Sequence, residues 1–183
     1  MPIPASYKSL NHKFNEQPSH IKKFFDHLPK LLKEFNYDVS IAYCFFKLEQ
    51  AYNRTLYGGA RKLHKVNADV ISHVLDQQHL TRDGFLDFYE VILGKPIPKE
   101  TQTKIKFSEK IRDRIIHGKT VPDVDSRKCL ADLLDFVAEL DREVQAAASF
   151  TPFGDMRGMT GQAASLDKST TRWVLKGMGF SVQ

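Results

Sequence analysis

The sequence has few of the residues that mark stapled, exported or membrane-spanning chains. Only two cysteines, Cys44 and Cys129, occur in 183 residues. Each lies inside an apolar helical pattern, and neither has a second cysteine at zinc-type spacing. A disulfide framework is thereby excluded, a structural zinc site is not expected, and two buried free thiols in a reducing compartment are. No apolar run approaches the roughly 20 residues that span a bilayer, and residues 1–15 lack the apolar core of a secretion signal. The expectation is a cytoplasmic chain with no membrane partner. No Lys-Ser/Thr ending follows Gly58-Gly59, so a phosphate-cradling P-loop is not supported. The scattered histidines His12, His20, His27, His73 and His79 are not read as a metal site, and no metal or cofactor is expected.

What the chain does have is charge gathered in one place. Its formal surplus of +5 lies wholly within residues 95–120, where eight basic residues face three acids. The remainder carries nineteen charges of each sign. A stripe of this kind is either the footprint of a polyphosphate binder or an ordinary solvated helix face.

Apolar residues recur at three- and four-residue spacing over most of the sequence, which predicts helices. Residues 19–35 carry Ile21, Phe24, Phe25, Leu28, Leu31, Leu32 and Phe35, with Ser19 as a cap. Pro29 either kinks that helix or opens a second one. A longer helix is expected over residues 38–57, stopped by Gly58-Gly59 and apolar around much of its circumference. Residues 68–78, 83–93, 100–117 and about 123–148 complete the pattern. The fold expected is all-α, an antiparallel bundle of about five to six helices over residues 19–149 after an N-terminal arm, 1–18.

Residues 150–183 hold five of the ten glycines and read as an extended basic and aromatic tail, with one strand or hairpin near Thr170–Leu175 as an option. Arg157, Lys168, Arg172 and Lys176 beside Trp173 and Phe180 could stack on bases and neutralise phosphate. The favoured expectation is different: a tail folded back on the bundle or a partner subunit, burying the single Trp.

Inside the basic stretch lies Ile111-Arg112-Asp113-Arg114-Ile115-Ile116-His117-Gly118. Five residues correspond to about 140° of helix rotation, so Arg112 and His117 do not share a face of an ideal helix. Gly118 can adopt the left-handed conformation that ends the helix and lets His117 swing out of the last turn. The helix C-terminus there favours a protonated imidazole. An Arg and a His form a minimal set for cleaving RNA, because the ribose 2′-hydroxyl supplies the nucleophile. His117 would move protons, Arg112 would stabilise charge on the phosphorane oxygens, and Asp113 would orient either. Two protons move in such a reaction, and a two-fold dimer would bring a second His117 to it.

Arg112-Asp113, three further residues and His117 resemble the Arg, polar residue, spacer, His signature of HEPN domains (higher eukaryotes and prokaryotes nucleotide-binding). The resemblance covers residues 19–148. It implies a helical bundle that dimerises with its motif helices facing one another, and a metal-independent endoribonuclease of toxin or phage-defence type. It further implies Arg112 and His117 as catalytic residues, Asp113 as their support, RNA and a second copy as partners, and an antitoxin or regulatory protein as restraint. A non-catalytic RNA- or nucleotide-binding module, or a dimeric interaction scaffold, are the alternatives.

Further candidates surround this motif. Lys106, Lys110, Arg114, Lys119 and Arg54 are expected RNA contacts. Arg61, Lys62, His64 and Lys65, around Gly58-Gly59, could add phosphate contacts or be a solvated helix end. Glu49 falls in the apolar arc of its helix between Phe45, Phe46, Tyr52 and Leu56. A buried acid needs a partner. Glu49 therefore either reaches Arg112 or His117, pairs with another base, or lies outside the arc in solvent.

Overall fold

A computed structural model describes residues 3–78, 80–157, 159 and 165–182; His79 lies outside them. The fold is all-α, and no strand occurs among the described residues. The helices are α1 (Tyr7–Asn15), α2 (Ser19–Phe24), α3 (Leu28–Glu34), α4 (Tyr37–His64), α5 (Ala68–Gln77), α6 (Arg82–Leu93), α7 (Lys99–Ile116), α8 (Asp123–Ala148) and α9 (Lys168–Gly177).

These helices divide more finely than the periodicity predicts. The N-terminal arm contains α1, capped by the Ser6 side chain and packed against α3. The pattern over residues 19–35 breaks at Phe25, whose backbone leaves the helical region, and Pro29 sits in the first turn of α3, where its missing N–H costs nothing. The expected stop at Gly58-Gly59 does not occur, because α4 continues to His64. A Cβ at Gly58 would lie 2.4 Å from the Phe150 ring, and one at Gly59 would lie 2.7 Å from Ile92. The pair is needed for close packing rather than for a turn. The tail is not wholly extended either. Asp167 caps α9 by accepting from the Ser169 and Thr170 amides, so Thr170–Leu175 is helical.

The chain forms two compact units, Met1–Gln50 with Pro98–Asp141, and Ala51–Ile97 with Arg142–Gln183. The first buries Leu10, Phe14, Ile21, Phe25, Leu28, Ile41, Leu48, Ile105, Ile111 and Leu133, each side chain contributing about 1.5–3 kcal/mol. Lys13 pairs with Asp135 at 2.5 Å, and His20 meets the buried Asp141 at 2.7 Å. The Ser108 hydroxyl donates to the Cys129 carbonyl at 3.3 Å, and the Cys129 thiol donates back to the Ser108 carbonyl at 3.7 Å, which joins α7 to α8. Both cysteines are buried and free, as expected. Burial pushes the Cys129 thiol up to about 12 and raises that of Cys44 as well.

The second unit buries Tyr52, Leu56, Ile71, Phe85, Tyr89, Ile92, Phe150 and Leu175. Tyr52 stacks on Phe85 with ring centroids 3.8 Å apart. Arg61 is fully buried, donating from Nε to the Met159 carbonyl at 2.9 Å and from Nη1 to the Val66 carbonyl. It is a clamp on the chain after α4 and on the tail, not a phosphate contact at a loop. His64 is likewise engaged, its Nε2 lying 2.8 Å from the Ile92 carbonyl oxygen.

Candidate functional site

The motif occupies the C-terminal end of α7, and its local geometry follows from Gly118. That residue has φ +67°, a conformation costing an L side chain roughly 1–2 kcal/mol and glycine almost nothing. The Gly118 amide donates to the Ile115 carbonyl at 2.9 Å, and the Lys119 amide to the Arg114 carbonyl at 2.8 Å. This is the paired closure of a Schellman motif. Arg114 adds a bond from Nη2 to the Thr120 carbonyl at 2.7 Å, tying down the connection to α8. His117 becomes the C-cap, with φ −84° and ψ 15°, and it is exposed. Its imidazole makes no hydrogen bond or ion pair among the described residues.

Arg112 reaches α4. Its guanidinium lies over the Phe45 ring at 4.9 Å from the centroid. Nη1 is 3.8 Å from Glu49 Oε1, while Nη2 and Nε reach Asp113 Oδ1 at 3.0 and 3.2 Å. The side chain stays 30% exposed. One planar cation is thus held by a ring on one face and by two carboxylates at its edge, a bracing that suits Arg and not Lys. Sequence reasoning does not single out Phe45 for this part; its signal is the i, i+4 relation to Glu49, which aligns the two on one side of α4.

Glu49 reaches Arg112, but the buried arc assigned to it is corrected: its side chain is 65% exposed. Phe46, counted into that arc, is itself 57% exposed and falls with Ala42 and Glu49 on a solvent stripe of α4. Ile116, one turn beyond Arg112, is 67% exposed. Phe46 on α4 and Ile116 on α7 are thus apolar side chains left in solvent on the two helices that meet at Arg112.

The remaining candidates separate into two groups. Lys106, Lys110, Asp113 and His117 follow one another at four-, three- and four-residue spacing, and all are exposed. They make one line down α7 that ends at the imidazole. Arg114 and Lys119 are exposed at the same end. Arg54 belongs elsewhere. Its guanidinium is half-buried and donates to the Gly154 carbonyl, and burial lowers its pKa from the ordinary guanidinium value. With Asn53, Tyr57, Ser72, Asp76 and Met156 it borders a cavity of about 350 Å³ in the second unit.

No cluster of three or more metal-ligating side chains occurs among the described residues, and no helix there is long and apolar enough to cross a membrane. No family model, curated protein or solved structure matches the chain.

Proposed function

We propose that the protein is a HEPN-type, metal-independent endoribonuclease that works as a homodimer. The observation that carries this reading is the Arg112 guanidinium braced by Phe45, Glu49 and Asp113 on the helix whose C-cap is an exposed His117, with Lys106 and Lys110 at helical spacing from that histidine. RNA lies along the lysines, whose charges displace its counterions. The ribose 2′-oxygen attacks the adjacent phosphorus and the 5′-oxygen leaves, giving a 2′,3′-cyclic phosphate and a 5′-hydroxyl. One imidazole removes the 2′-hydroxyl proton and a protonated one supplies a proton to the leaving oxygen. The Arg112 fork stabilises the negative charge that builds on the non-bridging oxygens.

Two imidazoles in opposite protonation states imply two copies of the motif. Exposed Phe46 and Ile116 support the same inference, since an isologous contact over them would bring both guanidinium groups to one cleft. The cellular role that accompanies this reading is that of a toxin or phage-defence effector held in check by an antitoxin or trigger, acting in the cytoplasm; it rests on family analogy.

The test is cleavage of end-labelled RNA in excess EDTA. The expected result is cyclic-phosphate products from the wild type and a loss of about 10²–10⁴-fold in His117→Ala. RNA binding without any wild-type cleavage would replace the nuclease by a binding module. Neither binding nor cleavage would leave a dimeric scaffold.

A further inference from the structure

The sole tryptophan of the chain, Trp173, stands 78% exposed on α9, contrary to the expected burial. Its exposure does not reflect a loosely held helix. Leu175 and Thr171 are fully buried, and the Asn67 amide donates to Thr171 Oγ1 at 2.9 Å. The Leu166 amide donates to the Lys65 carbonyl at 2.7 Å, and beyond the helix Phe180 stacks on Phe88 at 4.0 Å. The apolar side of α9 is consumed by this packing, and the indole is left on the other side.

The outward face carries one sign of charge. Lys168, Arg172 and Lys176 recur every four residues, all exposed, so they form a line with successive positions about 6 Å apart along the axis. Residues 168–182 contain no acid. Nearby, Asp167 is occupied by the Ser169 and Thr170 amides and the Thr170 hydroxyl, and Asp69 lies 3.6 Å from Lys168. Trp173 has Ser169, Thr170, Lys176 and Gly177 as its helical neighbours, small side chains and one cation that leave its ring open. Lys168 and Arg172 also border a cavity of about 220 Å³ with Asp69, His73 and Val182.

We propose that this face of α9 is a docking surface for single-stranded RNA, with Trp173 stacking on a base and Arg172 and Lys176 meeting the flanking phosphates. The charge complementarity selects this occupant. A protein hot spot built on Trp is ringed by contacts that exclude water, whereas this indole has cations and small polar residues around it. A membrane-lying helix needs a free apolar face, and that of α9 is already buried. An aromatic ring beside a cationic line is the pairing by which single strands are held without sequence preference. The proposal rests on the nuclease reading for its purpose, retention of an RNA substrate, but its physical test is separate.

The experiment uses the full chain carrying His117→Ala, so that RNA survives, and a 12-nucleotide RNA as probe. Exciting the single Trp during titration is expected to show saturable quenching by the RNA and none by inorganic polyphosphate, which has charge but no rings. Trp173→Ala, read by polarisation of labelled RNA, is expected to weaken binding about tenfold, and Trp173→Phe to restore most of it. The melting temperature should not move in either variant. Absent quenching, unchanged affinity in Trp173→Ala, or equal quenching by polyphosphate or anionic vesicles would each overturn the proposal. Quenching without wild-type cleavage would sink the α7 reading and spare this one; cleavage without quenching would do the reverse.

Discussion

Helices α7 and α9 each present a row of cations to solvent, and they treat those cations differently. On α7 the guanidinium of Arg112 is fixed from three directions, by Phe45, Glu49 and Asp113. On α9 the cations Lys168, Arg172 and Lys176 are exposed at four-residue spacing beside an indole left largely in solvent, with Lys168 3.6 Å from Asp69 of α5. A fixed charge suits a reaction, because its orientation is set before the transition state needs it. A row of exposed cations at helical spacing suits holding a polyanion whose position varies, because each phosphate is neutralised wherever it falls. On the proposed nuclease reading, the contrast matches chemistry on α7 and retention on α9.

Swapping Arg for Lys breaks that contrast most sharply. Arg112→Lys keeps the charge but loses the fork and the stacking plane, and cleavage should fall about 10²–10³-fold, the usual cost of removing one transition-state donor. Arg172→Lys keeps what α9 needs, and RNA affinity and its salt dependence should change less than about twofold. Initial cleavage rates and a salt titration of binding measure the two. Equal losses in both would show that the two rows do the same work.

The helix ends give the next largest difference. Gly118 closes α7 at φ +67°, whereas Gly177, the last helical residue of α9, has no such φ and has open space where a side chain would begin. Gly118→Ala should cost about 1–2 kcal/mol, and because it distorts the cap that positions His117 it should also lower cleavage. Gly177→Ala should be neutral or stabilise by up to about 1 kcal/mol through the unfolded chain's lost freedom. Urea denaturation compares them directly.

These same elements show where the sequence is legible and where it is not. The Arg112–His117 spacing, the stop at Gly118 and the two buried thiols follow from local rules, and the structure has the stop and the thiols where those rules put them. Gly58-Gly59 misleads because a glycine pair can mark a turn or a close approach, and only the position of Phe150, 92 residues on from Gly58, tells which. Thr170–Leu175 has strand-like composition, but Asp167 caps it and Thr171 with Leu175 falls at helical spacing against the Asn67 end of α5. Trp173 is exposed because α9 already buries its other side, a property of tertiary packing that no window of sequence contains.

A smaller effect concerns the packing beneath α7. The Cys129 thiol, held up at about 12 by burial, stays neutral in the folded protein well past the pH at which an exposed thiol ionises. Its raised folded value means that stability is complete well below pH 9 and falls as pH rises through 9 toward 12, because only the unfolded chain gains by ionising. At pH 9, where half of the unfolded thiols are ionised, the loss is about 0.4 kcal/mol per thiol. Cys44, raised in the same direction, adds to it, and both lie in the unit that carries α7. Urea midpoints at pH 7.5, 9 and 10 should decline in order, and Cys129→Ala should flatten the decline even though it lowers the midpoint at pH 7.5.

The smallest effect is expected at Glu49, and it sets how finely the bracing of Arg112 is divided. Glu49 Oε1 is 3.8 Å from Nη1 and 65% exposed, while Asp113 is at 3.0 Å and Phe45 lies beneath the plane. A long, solvated pair of this kind adds less than about 0.5 kcal/mol, so Glu49→Gln should leave the denaturation midpoint within that range. Gln also keeps an oxygen that can accept from Nη1, and the ring and Asp113 still hold the guanidinium. Cleavage should therefore fall less than about threefold, against the far larger loss at Arg112 itself. A loss of a hundredfold with stability unchanged would instead put the Glu49 carboxylate among the groups that move a proton.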